Sequence, residues 1–240
     1  MNFVRRISVV FVMSMCAFCW GGPVFAPSVP EISFIQKIRY NFVPDTKNCA
    51  PGVSSAVYLD MDTLRSFAGI NEVADRTDIT LSALYTPVFA GKAGFGPGLT
   101  YHFYSMPDIS VEHDILAGLY FWWRILPSLT VSTDFCAFWK ISVIYAVASD
   151  MPCAMNRSFA FDFTVSWKIP HGFSVRYSFA TVSVFDYPLF CSPVFTLEAE
   201  KEFSPRIRAG ISLSSLWIDM FTVSSNMSRL SADVFLKVTL

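Results

Sequence analysis

Charge is scarce in this chain. Only 15% of its 240 residues are Asp, Glu, Lys or Arg, and the two signs nearly cancel, leaving a formal net charge of −1. A chain this close to neutral offers a polyanion no broad basic surface, which excludes nucleic acid as a natural partner. Histidine is scarcer still, with 3 residues, so the search for acid–base or metal chemistry is short. Long apolar runs are missing beyond the N-terminus. The longest uncharged stretch there, residues 93–107, is broken by Gly94, Gly96, Pro97, Gly98 and Pro107, and no transmembrane helix fits it. Internal repeats, low-complexity segments and Gly/Ser linkers are also absent. A helical period shows only briefly, over residues 63–73.

What the chain has in abundance is apolar and aromatic side chains, 53% of the total with 24 Phe, and a period of two. In residues 158–179, Phe159, Phe161, Phe163, Val165, Trp167 and Ile169 alternate with Ser158, Ala160, Asp162, Thr164, Ser166 and Lys168. After the turn Pro170-His171-Gly172 the alternation resumes with Phe173, Val175, Tyr177 and Phe179. Such a period puts one chemically uniform set on each face of a strand. It recurs over residues 53–62, 79–89, 98–104, 114–125, 129–145, 194–203, 207–218 and 232–240.

The N-terminus carries a different signal. Arg5 and Arg6 precede the apolar run 7–20, and Gly21, Gly22 and Pro23 follow. Basic, apolar and small regions in that order describe a secretory signal peptide, read here as residues 1–28 with cleavage after Ala26 or Ser28. Residues 29–52 then form an N-terminal segment with the option of a first strand, and 53–240 the main domain. Cys16 and Cys19 leave with the signal. Cys49, Cys136, Cys153 and Cys191 remain in an exported chain, where disulfides are permitted. Cys153 and Cys191 fall in successive long connections and are the candidate pair; free thiols are the alternative.

Tight turns near Gly91-Lys92, Leu126-Pro127-Ser128, Pro170-His171 and Ser204-Pro205 alternate with longer connections at 62–78, 105–112, 147–157, 186–193 and 219–231. Strands of nine to eleven residues or more, joined alternately by short turns and long loops, are expected of an antiparallel up-and-down transmembrane β-barrel. The count from Val53 gives ten strands, with eight or twelve as alternatives. Residues 31–43 also alternate, with Ile38, Tyr40 and Phe42 set against Lys37, Arg39 and Asn41.

Which face meets solvent follows from the polar set. A soluble lipocalin-like barrel would carry abundant Lys and Glu outward, whereas the polar positions here are mostly Ser, Thr and Gly. The apolar face is therefore expected to meet lipid. The sparse charges Asp134, Lys140, Asp162, Lys168, Arg176, Glu198, Glu200 and Arg208 are expected to line the lumen, either along a transport path or as a structural salt-bridge network. Trp123, Trp167, Phe173 and Phe203 near the tight turns, with Tyr145, Phe159, Phe185 and Trp217 near the long loops, form two candidate interfacial rings.

On these strands, and on the C-terminal strand SADVFLKVTL, the chain resembles the small outer-membrane β-barrel proteins, the general class that includes the OmpA, OmpW and OmpX types. That resemblance implies bacterial outer-membrane lipid as the surroundings. It also implies the barrel-assembly machinery as a partner, reading the C-terminal strand, which here ends in Leu240 where Phe or Trp is usual. The function it implies is a narrow channel or uptake protein for small or hydrophobic solutes. The alternative is a closed barrel whose loops bind an extracellular ligand or host protein.

Enzyme chemistry is not expected. The H-x-S pair of outer-membrane phospholipase and deacylase barrels is missing, and so is the D-x-H element of omptin proteases. Asp60, Asp62 and His113 are the acidic and basic groups expected near the long-loop rim, and rim hydrolysis is their functional reading. Glu112, His113 and Asp114 are consecutive, so they point to alternate faces and do not make a metal site. The glycines of residues 91–98 match no phosphate loop. No cofactor is expected.

Overall fold

The computed structural model describes residues 31–44, 48–61, 63–73, 76–89, 92–106, 110–144, 153–181, 193–217 and 227–240. The signal peptide expected over residues 1–28 lies outside them, as do Asp62, Tyr145, Phe185 and Cys191.

The described chain is all strand apart from turns. The strands are β1 (Glu31–Val43), β2 (Asn48–Asp60), β3 (Leu64–Val73), β4 (Arg76–Tyr85), the two-residue β5 (Val88–Phe89), β6 (Ala93–Met106) and β7 (Ser110–Leu126). They continue with β8 (Leu129–Ile144), β9 (Cys153–Ile169), β10 (Phe173–Thr181), β11 (Pro193–Ser204), β12 (Ile207–Trp217) and β13 (Met227–Thr239). Each pairs antiparallel with its sequence neighbour, except that β4 and β5 both pair with β6 and not with each other. β1 pairs with β13, β4 pairs with β6, and β5 carries the line of β4 past the break at Thr86-Pro87, so the sheet closes as a barrel of 12 strands.

Twelve strands correct the expected ten, and β1 and β3 make the difference. The segment 62–78, expected as a long loop, is instead a tight hairpin containing β3. Its register turns Phe67 inward beside Tyr58 and turns Ser66 and Ala68 outward, so the usual assignment of apolar to one face is reversed there. The correction also moves Asp60. The turn it begins lies at the same end as the start of β1 and the end of β13, whereas His113 lies near the opposite end, so the rim grouping of Asp60 with His113 does not form.

Burial answers which face meets what. Ile211, Val234 and Phe203 are exposed at 61%, 60% and 68%, while Asp233 and Lys140 are 3% and 5% exposed. In water each such aliphatic or aromatic group would forgo about 1.5–3 kcal/mol of burial. Lipid removes that cost, and a closed barrel leaves no unpaired backbone edge in hydrocarbon. The aromatic set of the 158–179 hairpin lies on this outer surface, where the Phe135 and Phe159 rings stack at 5.4 Å and the Phe179 and Phe195 rings meet tilted at 5.1 Å across neighbouring strands. The apolar belt and the closed antiparallel wall make this an outer-membrane β-barrel.

The turn chemistry is local and specific. At the β9–β10 turn His171 and Gly172 both take positive φ, 65° and 76°, after Pro170, and Lys201 donates to the His171 carbonyl while its ammonium sits 4.2 Å from the centre of the Phe173 ring. Ser204 Oγ accepts from the backbone N–H groups of Arg206 and Ile207 at 3.3 and 3.1 Å, which shapes the β11–β12 turn. Gly96 is required by close approach, because a Cβ there would stand 1.8 Å from the Tyr85 carbonyl oxygen.

Stagger sets the width. The line of register partners through Lys37 runs by Ser54, Asn71, Asp78, Tyr104 and Glu112 to Ser142 on β8. In the other direction it runs by Phe235, Gly210, Glu200 and Ser174 to Lys168, whose N–H meets the carbonyl of Ser128 beside the start of β8. The barrel therefore staggers by 142 − 128 = 14 residues. Over 12 strands this gives a tilt of about 40° and a backbone radius of about 11–12 Å, wider than an eight-strand barrel that side chains fill.

Candidate functional site: the barrel interior

Alternation aims one residue in two inward, and antiparallel register lines those residues up around the wall. One such line is polar across eight strands: Arg39, Asp233, Ser212, Glu198, Arg176, Ser166, Thr130 and Arg124. It begins with an interlocked pair. Arg39 Nε and Nη2 donate to the two carboxylate oxygens of Asp233 at 2.7 and 2.9 Å, and Ser212 Oγ donates to Asp233 at 3.1 Å. A two-pronged guanidinium–carboxylate bond is strong and fixes both planes. Here it joins the first strand to the last and so helps close the barrel.

The eight charged residues singled out from the sequence all share this inward register. They do not form one network. Lys140 pairs with Glu112 at 2.7 Å, Arg176 with Glu198 at 3.5 Å, and Arg208 with Glu200 and Glu202 at 3.7 and 3.2 Å. Lys168 stands at the turn end of β9. Asp134 and Asp162 are direct register partners on β8 and β9, and neither has an ion-pair partner among the described residues. Thr164 donates to Asp162 at 3.0 Å.

The interior also holds charges that the sequence reading did not single out: Lys37 and Arg39 on β1, Asp78 on β4, Asp114 on β7, and Arg229, Asp233 and Lys237 on β13. The alternation of β1 was the available signal for the first two. A cavity of about 370 Å³ opens along this wall, lined by Lys37, Arg39, Asn71, Asp78, Tyr104 and Arg229 among others. His102 faces it and shares a hydrogen bond of 2.9 Å with Thr80 Oγ1. A small apolar patch of Phe138, Cys136, Ala160 and Leu116 interrupts the polar lining on β7–β9.

Several other candidates separate. His113 faces outward, sharing a hydrogen bond of 2.8 Å with the Tyr101 hydroxyl beside Phe103, while Glu112 and Asp114 face inward. Among the described residues no group of three or more His, Cys, Asp or Glu could hold a metal ion. Cys136 is buried and free, Cys49 is exposed and free, and Cys153 begins β9. The candidate disulfide cannot be traced to Cys191, which is outside the described residues.

No family model and no curated protein sequence matches the chain. Solved structures do. The KdgM porin in complex with disordered oligogalacturonate superposes with a TM-score of 0.62 at 7% identity, over 86% of this chain and 99% of that one. The NanC porin gives 0.60 at 14% identity, over 85% and 100%. The translocator domain of the autotransporter NalP from Neisseria meningitidis gives 0.52 at 9%, over 98% and 97%. At these identities the likeness is one of fold: this chain has the closed barrel found in bacterial outer-membrane porins.

Proposed function

We propose that the barrel is a passive outer-membrane channel for small, water-soluble polar solutes. The observation that carries this reading is the polar line from Arg39 to Arg124 together with the cavity of about 370 Å³ beside it, inside a wall wide enough to leave a bore. The hydrophobic cargo considered from sequence is disfavoured, because charged and hydroxyl groups dominate the lining. The likeness to two porins supports a channel over an enzyme. In the same reading β13, with Ala232, Val234, Leu236 and Val238 outward, is the strand the assembly machinery would recognise.

Conductance decides it. The mature chain, refolded in detergent and shown to be folded by heat-modifiable gel migration, is inserted into a planar bilayer. Discrete current steps in KCl are expected. A folded barrel that never conducts would contradict the proposal and leave the connecting segments as the working part.

A further inference from the structure

Lys37 and Arg39 face inward on β1, and Asp134 and Asp162 face inward on β8 and β9; the stagger of the barrel tells which of these strands face each other at a given level. β1 and β8 are six strands apart by either route around the 12, so they are opposite. The register line from Lys37 reaches β8 at Ser142 one way and at the level of Ser128 the other way. The point on β8 level with Lys37 is therefore midway, at residue 135. Asp134 stands beside that point facing inward, and Asp162 is its partner on β9.

Lys37 and Arg39 thus look across mid-bore at a pair of carboxylates that make no close ion pair among the described residues, with Arg176, itself paired with Glu198, the cation within longer electrostatic reach of Asp162. Lys237 and Arg229 lie on the neighbouring strand; Asp233, paired with Arg39, and Asp78, within electrostatic reach of Arg39, are the acids on this side of the bore. The cavity lies against the same side. Opposite charges held on facing low-dielectric walls produce a field across the bore, and a narrow polar cleft concentrates it.

We propose that this transverse field is the channel's selectivity element and that it favours small zwitterions, such as amino acids and short peptides. A zwitterion crossing at this level turns its carboxylate to Lys37 and Arg39 and its ammonium to Asp134 and Asp162. A simple ion is attracted by one wall and repelled by the other, so the intact bore discriminates weakly by sign. The inference rests on the channel reading above.

The test uses the full mature chain in lipid, comparing the wild type with Asp134→Asn/Asp162→Asn and with Lys37→Gln, all confirmed as folded by gel migration. Reversal potentials in a KCl gradient should move toward anion selectivity in the first variant and toward cation selectivity in the second, each by about threefold in permeability ratio. In liposome swelling, glycylglycine should enter the wild type faster than an uncharged solute of equal size, and both variants should lose that advantage. Opposite shifts with the joint loss support the proposal. If the wild type conducts but the potentials stay fixed or move in the same direction, or if glycylglycine holds no advantage, the field proposal fails and the channel reading stands. A folded wild type that does not conduct overturns both.

Discussion

The two halves of this barrel solve the same wall in different ways. From β7 to β13 the outward positions are mostly apolar, with Phe135, Phe159, Trp167, Leu197, Ile211 and Val234 all exposed, and Ser, Thr and charged groups take most of the inward ones outside the patch around Phe138. From β2 to β4 the outward set includes Ser55, Ser66 and Ala68, while Tyr58 and Phe67 turn inward with ring centres 4.7 Å apart. Long connections also belong to the second half, at 145–152, 182–192 and 218–226, whereas β3 and β4 are joined through only residues 74–75. The difference teaches that closure depends on backbone pairing all round, while the contrast between faces can be strong in one half and weak in the other.

That comparison can be broken first at the seam, where the halves meet. Asp233→Ala should have the largest effect, because it strips the half-buried Arg39 guanidinium of its two-pronged partner, a carboxylate whose side chain is 2% exposed. A loss of about 3–5 kcal/mol is expected, read as a shift in the urea unfolding midpoint in lipid vesicles.

Next in size is a charge on the outer belt. Val234 neighbours Asp233 in sequence but faces out, 60% exposed. Val234→Arg should cost about 2–4 kcal/mol at mid-bilayer depth. The same unfolding assay would count against a lipid-facing position if that variant matched the wild type.

The weaker half is probed at its corner. Gly96→Ala places a methyl against the Tyr85 carbonyl at the β4–β5 break and should cost about 1–3 kcal/mol through forced backbone movement. Faster proteolysis near residues 85–93 in the folded, detergent-solubilised protein is the sign to look for.

The smallest effect sharpens the contrast between seam and lumen. Arg176→Ala removes a pair at 3.5 Å whose guanidinium is 58% exposed, and it should change stability by less than about 1 kcal/mol. A loss as large as that of Asp233→Ala would mean that the lumen pairs are structural.

Much of the architecture was legible, for a physical reason that also explains the gaps. In β7–β13 lipid outside and polar groups inside write opposite chemistry onto alternate residues, so the strands, the turns at Pro170-His171 and Ser204-Pro205, and the inward register of Asp134 through Arg208 could all be read. β3 could not be read, because an inward Phe67 and an outward Ser66 erase the contrast and briefly imitate a helical period. Losing that one strand inverted the sidedness of the segment before it and put Asp60 at the wrong rim. That Lys37 faces Asp134 was hidden for another reason. Lys37 and Asp134 are nearly a hundred residues apart, and only the stagger of the closed barrel brings them level.

One labelling measurement tests the account most directly. Single cysteines are placed at the adjacent β10 positions Ser178 and Tyr177, in a chain whose own cysteines are replaced, and a water-soluble charged thiol reagent is added to the conducting bilayer. The inward Ser178→Cys variant should react and lose current, while the outward Tyr177→Cys variant should stay unmodified. Reaction at 177 with 178 protected would put water outside and contradict the barrel as described here.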